Sequence, residues 1–192
     1  MLGKIVKYML YPLYRTIIRT GIISPLRYRK AGLHLEWEEW KRVHNIQDDK
    51  ALSSKLEIDN AICRELIRDD AIDFLEFGVH TGHGIKRWAD LNQNSKSRFF
   101  GFDTFRGLPE AWENLPQGGL DVGGKIPVLD DNRVEFVVGL FQDSLASFLE
   151  TFNPRNRLVL RMDADLYSST LFVLTSLDRF IEPGTIIIFD QF

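Results

Sequence analysis

From Ala71 onward the sequence alternates short apolar runs with longer mixed segments, and this rhythm limits the fold more than any other feature. The runs cover 73–79, 98–103, 134–139, 157–163 and 184–190 and are rich in β-branched and aromatic residues. Such runs suit strands covered on both faces of a sheet. Helix-like segments at 84–91, 144–152 and 169–180 separate most of them. Strand and helix in turn imply right-handed βαβ units. The expected fold is α/β: a doubly wound, mostly parallel, Rossmann-like sheet of five strands with an N-terminal helical extension. Residues 104–133 break the rhythm with Pro109, Pro116, Gly118, Gly119, Gly123, Gly124 and Pro127, which predicts a long loop over the site.

Residues 1–70 read as a basic arm followed by helices, and 71–192 as the main domain. Gly21, Pro25 and Gly32 punctuate the arm. The stretch 35–70 is helix-compatible, with Trp37 and Trp40 on one face, and predicts two or three helices without chemistry of their own. Residues 1–31 hold seven bases and no acid, so the rest of the 192-residue chain is markedly acidic although the whole carries only −3. Two readings of the arm stand open: contact with an anionic membrane surface, or packing on the acidic body. Lys7, Pro12 and Arg15 interrupt its apolar run, so neither a secretory signal nor a bilayer span is expected. The single cysteine, Cys63, rules out an intrachain disulfide and a multi-thiolate zinc site and reads as packing. The expected location is the cytoplasm.

In a sheet of this kind, ligands sit at the carboxyl ends of the strands, where strand order reverses. Glu76, Asp103, Asp163 and Asp190 end or follow four of the runs, and Asp143 follows the third. A lone acid there would read as a helix cap; five on one rim read as a site. After the first run, Glu76-Phe77-Gly78-Val79-His80-Thr81-Gly82-His83-Gly84 spaces its glycines as G-x-x-x-G-x-G, not the G-x-G-x-x-G of a pyrophosphate loop. An acid facing that loop would repel a pyrophosphate and suit a cationic ligand. Asp103 fits acceptance from ribose hydroxyls. A nucleoside with a positive centre and no phosphate meets both conditions, as S-adenosylmethionine does.

Asp163-Ala164-Asp165 would put two carboxylates on one side of an extended chain, about 6.6 Å apart at roughly 3.3 Å per residue. Clustered carboxylates need a proton or a cation, and Mg²⁺ with oxygen ligands would serve. Alternatively Asp165 caps the next helix. His80 and His83, three residues apart, leave two readings, ligation of a metal by the pair or loop packing, and packing is favoured since no third nitrogen or sulfur ligand stands near. Neither a G-x-S-x-G elbow nor a Walker loop is present, which sets aside acyl-transfer hydrolases and phosphate-cradling NTPases.

Several ordered blocks together resemble the macrocin O-methyltransferase family: Leu75–Val79, Phe100–Glu110, Gly139–Ser144, Asp163–Thr170 and Pro183–Asp190. The resemblance covers about residues 70–192. It implies S-adenosylmethionine as cofactor, methylation of a hydroxyl on a sugar or glycosylated metabolite, and Mg²⁺ in some members. Carried onto this chain, it implies that Glu76, Gly78, Thr81 and Gly82 shape the cofactor loop. Asp103 and Thr104 would bind the ribose side, with Gln142 and Asp143 near the adenine. Asp163 would be metal ligand and general base, and Asp190 a second ligand. Gln191 stands where metal-dependent members carry an acid, so metal affinity should fall. Arg106 replaces another expected acid.

The family sheet continues past the fifth strand, whereas this sequence stops at Phe192. The expectation is a fragment, a truncated protein, or an edge completed by a partner, a second copy included. The expected partner is a small hydroxyl acceptor, with no nucleic acid. Two rivals stand beside methyl transfer: a nucleotide-sugar glycosyltransferase with metal-bound diphosphate at Asp163-Ala164-Asp165, and a degenerate cofactor-binding protein.

Overall fold

Strands buried on both faces need apolar side chains pointing both ways; all five runs form strands, the three central ones buried on both faces and the two edge ones only partly covered. They are β1 (Ile72–Phe77), β2 (Arg98–Asp103), β3 (Val134–Val138), β4 (Arg157–Met162) and β5 (Ile186–Phe189). The structure, a computed structural model, describes residues 25–45 and 54–190. Its helices are α1 (Pro25–Val43), α2 (Lys55–Ala61), α3 (His83–Leu91), α4 (Phe141–Thr151) and α5 (Tyr167–Leu177). A π-helical turn, Ile62–Ile67, continues α2 towards β1. The strand order is β3-β2-β1-β4-β5, and every neighbouring pair is parallel. This is the expected Rossmann-like α/β sheet, and its order reverses between β1 and β4.

Alternation along the strands builds two cores. On one face Ile72, Phe74, Phe99 and Val159 pack with Ile85 and Trp88 of α3. The Phe74 and Trp88 rings stack 4.7 Å apart. On the other face Leu75, Phe77, Phe102 and Leu160 pack with Leu145 of α4 and Val173 of α5. Cys63 lies in the first core, and burial pushes its thiol up to about 11, in keeping with packing rather than reactivity. Asp73, fully buried, accepts from Arg98 Nε at 2.9 Å and from the Arg155 backbone N–H at 2.7 Å. Burial alone would raise this carboxyl; Arg98 and the N–H donors hold it below its ordinary value. It sits at the amino end of β1, away from the carboxyl-end rim.

Several details differ from the sequence reading. Gly32 does not break the arm; it lies inside α1, which Pro25 opens, a favoured place for proline. Trp37 and Trp40 stack there at 5.0 Å. Helix α4 starts at Phe141 rather than 144: Leu140 is the extended N-cap, and the Ser144 hydroxyl donates to its carbonyl at 2.9 Å. The chain divides into Met1–Ala51 and a compact unit from Leu52, so α2 belongs with the sheet although the boundary was read at 70. The disposition of residues 1–24 lies outside the described residues. No helix among those described is long and apolar enough to cross a membrane.

Candidate active site

Because α3 after β1 and α5 after β4 cover opposite faces of the sheet, the carboxyl ends of these paired strands open into a cavity of about 520 Å³, of a size that takes a small-molecule ligand. Of the sequence-predicted residues, Glu76, Gly78, Thr81, Asp103, Thr104, Gln142, Asp163 and Asp190 line it. Gly82 and Asp143 do not. Gly82, at φ 82°, is the N-cap of α3, and a Cβ there would lie 2.8 Å from Pro127. Asp143 is exposed in the first turn of α4. His80 and His83 are exposed and line the cavity instead of packing in the loop.

The loop after β1 is shaped by close backbone approach. Gly78 has φ 96°, and a Cβ on it would stand 2.1 Å from the Asp163 carbonyl oxygen. Asp103 clamps the same loop: its Oδ2 accepts from the Val79 and His80 amides at 2.8 and 2.7 Å, and its Oδ1 from Phe105 at 2.8 Å. With about four acceptor positions on a carboxylate, little remains for a ribose, so Asp103 first organises the rim. Residues 104–133 cross the cavity as an irregular loop, and Leu108, Trp112, Leu115 and Leu120 give it an apolar wall. Arg106 turns away and lies against Gly124.

Four acids meet three bases beneath this loop. Arg161, on β4 and 2% exposed, was not singled out in the sequence because it interrupts an apolar run without motif or periodicity. Its Nη1 donates to Asp59 Oδ1 at 2.9 Å and its Nη2 to Asp190 Oδ1 at 3.0 Å. Its Nε lies 3.4 Å from Glu76 Oε1 and 3.7 Å from Asp163 Oδ2. Arg87 Nε holds the other oxygen of Asp59 at 2.7 Å. Lys55 pairs with Asp190 Oδ2, and its Nζ is 3.8 Å from Asp163 Oδ2. The segment read as helices without chemistry thus supplies Lys55 and Asp59.

These surroundings set the protonation states. Burial pushes the Glu76 carboxyl up to about 8, and Asp163 adds to the rise against the pull of Arg161. Among the described residues its buried Oε2 has no hydrogen-bond partner, which a neutral carboxyl tolerates better than an ionised one. Asp163 is pushed up to about 6, first by burial and then by Asp190 beside it. Asp190 goes the other way: burial works against ionisation, but Lys55, Asp163 and Arg161 hold it below its usual value.

A divalent cation is the group that clustered carboxylates at this rim would be expected to hold. Such an ion takes about six oxygen ligands. Here the Asp163 and Asp190 oxygens already face Lys55 and Arg161, and no group of three or more His, Cys, Asp or Glu among the described residues is arranged to hold a metal. The metal-ligand expectation for Asp163 and Asp190 does not fit this geometry. Gln191 lies outside the described residues. Strand β4 ends at Met162, so Asp163-Ala164-Asp165 is not extended; Asp165, at φ 60°, turns the chain and lines the cavity.

Fold and rim together define an α/β protein with a doubly wound, Rossmann-like parallel sheet, and solved methyltransferases are similar to it in fold. The O-methyltransferase NovP is 25% identical over 72% of this chain and 64% of its own, with a TM-score of 0.53. CalS11, described as a TDP-rhamnose 3'-O-methyltransferase of calicheamicin biosynthesis, is similar in fold at 24% identity over 71% and 61%, with a TM-score of 0.51. The chain spans under two thirds of the length of each. In sequence, the family described as macrocin O-methyltransferase (TylF) matches residues 125–192, the stretch that brings β3, β4, β5 and, of the rim acids, Asp163 and Asp190. The resemblance read from the sequence blocks is thereby found by a second route. No curated protein matches the chain.

Proposed function

We propose that the protein is an S-adenosylmethionine-dependent O-methyltransferase acting on a hydroxyl of a sugar or glycosylated metabolite. The observation that carries this reading is that Glu76, Asp103, Asp163 and Asp190 all face one cavity at the β1/β4 reversal. Lys55, Arg87 and Arg161 answer the other acids, but Asp103 is held by backbone amides, and its negative charge at the cavity suits a sulfonium nucleoside better than a diphosphate. The buried Oε2 of Glu76, without a partner among the described residues, offers a polar group to a ligand in the cavity. Gly78, Thr81, Thr104 and Gln142 would hold the cofactor with it. The bound cofactor would supply an electrophilic methyl group.

The chain's own residues would do the rest. Asp163, pushed up to about 6, is mostly ionised near neutral pH yet basic enough to take the proton of a hydroxyl held beside it. The loop carrying Leu108 and Trp112 would exclude water and press the acceptor against the rim. Calorimetry of the full chain with S-adenosylhomocysteine and, separately, with a nucleoside diphosphate tests the reading. Binding of the first alone is expected. Preference for the diphosphate would favour glycosyl transfer, and no binding of either would favour a degenerate pocket. The cytoplasm remains the proposed location, and contact of the basic arm with a membrane surface and self-association remain proposals beside it.

A further inference from the structure

The Asp163–Asp190 pair gathers two carboxylates, and the structure shows what answers their charge. Lys55 is the first residue of α2, whose start is fixed by Ser54: its side chain accepts from the Glu57 amide at 3.2 Å. One turn later Asp59, 1% exposed, is locked between Arg161 and Arg87. Residues four apart share a helix face, so the anchoring of Asp59 aims Lys55 at the same rim. The Lys55 side chain stays 56% exposed, yet its ammonium reaches Asp190, which is 5% exposed. With Arg161 it brings two positive charges to the two carboxylates, the charge a divalent ion would bring.

We propose that the Lys55 ammonium is the built-in cation of this site, standing between Asp163 and Asp190 and holding the acceptor hydroxyl there, so that methyl transfer needs no metal. The inference rests on the methyl-transfer reading above. An ammonium has three N–H donors; one pairs with Asp190, Asp163 lies 3.8 Å away as an electrostatic neighbour, and a further donor is available to an acceptor oxygen in the cavity that Lys55 lines. In the step itself, the hydroxyl proton passes to Asp163 and the acceptor oxygen bonds the methyl carbon. The pair of the breaking S–CH₃ bond stays on sulfur, which becomes a neutral thioether. Lys55 keeps its proton throughout and stabilises the alkoxide as it forms, the role a Lewis-acidic ion would have.

The test uses Mn²⁺ alone as probe, read by its electron paramagnetic resonance signal on the full chain. Wild type should leave Mn²⁺ free in the millimolar range, as should Lys55→Arg, which keeps a cation. Lys55→Met should bind Mn²⁺ at least tenfold more tightly than wild type, and adding Asp190→Asn should abolish that gain. The proposal is overturned if wild type binds Mn²⁺ in a manner that Asp190→Asn removes, or if Lys55→Met gains nothing. Calorimetry with S-adenosylhomocysteine on the same samples separates the two ideas. Failure of wild type to bind it would sink the methyl-transfer reading, whereas the Mn²⁺ series judges Lys55 alone.

Discussion

Arg161 and Asp59 meet at 2.9 Å with both side chains sealed from water, and through them the helix ahead of the sheet is tied to the strand that carries the rim. A buried pair of this kind need not stabilise the fold relative to an apolar one, but breaking it leaves a charge without its partner. Arg161 is shared among Asp59, Glu76, Asp163 and Asp190, so losing one acid redistributes the strain over the other three.

Asp59→Ala is therefore expected to cost about 3 kcal/mol in a urea titration, in the range for a broken buried pair. It should also free α2, so that Lys55 no longer reaches the rim. An apolar double replacement, Asp59→Leu with Arg161→Met, should recover part of that loss. A single variant as stable as wild type would show that α2 is held by other contacts.

Asp163 should titrate near 6, and the sign of its coupling is testable. Because Asp190 raises it after burial does, Asp190→Asn should move its midpoint to lower pH. The ¹³C carboxyl shift of labelled aspartate reads this directly. In turnover, the rate should rise as pH rises through about 6, since only the ionised form accepts a proton. Asp163→Asn should lose methyl transfer by at least a hundredfold while keeping S-adenosylhomocysteine affinity within a few fold. Retained turnover in that variant would remove Asp163 as the base.

What could be read from residues alone divides along physical lines. Strand positions were legible because apolar runs report burial on both faces, as for β1, where all six residues are buried. The acids of the rim were legible because strand ends converge in this architecture, and Glu76, Asp103, Asp163 and Asp190 do share a cavity. Arg161 was hidden: one cation inside an apolar run carries no periodic signal. Lys55 and Asp59 were hidden because their partners are remote in sequence, 28 and 102 residues away for Arg87 and Arg161 on Asp59. Asp103 was legible as a site residue, but its use by three backbone amides depends on loop geometry that spacing does not encode.

Gly78→Ala joins two penalties at one position. The backbone there is left-handed at φ 96°, and the new Cβ would lie 2.1 Å from the Asp163 carbonyl oxygen. Backbone cannot yield as a flexible side chain does, so a loss of about 2–4 kcal/mol is expected from strain and overpacking together. The thermal midpoint should fall by several degrees, and S-adenosylhomocysteine affinity should drop because the loop after β1 is displaced. A midpoint equal to wild type would show that the loop can relax around the methyl group.

Glu76 supplies the last test, since its proton completes the charge balance of the cluster. Among the described residues, Asp59, Glu76, Asp163 and Asp190 face the bases Lys55, Arg87 and Arg161, and a neutral Glu76 leaves three acids against three bases. Its carboxyl stands at about 8 in the folded protein against an ordinary 4.5 when unfolded. Between those values the folded state holds more protons than the unfolded one, so stability falls as pH rises through the window. The contribution of this residue is most favourable below about 4.5 and is fully lost above 8. Glu76→Gln removes the titration while keeping the shape, so the decline in urea-derived stability from pH 6 to 9 should be shallower than in wild type. Equal slopes in the two proteins would mean that Glu76 is ionised in the fold and that Arg161 alone suffices to hold it.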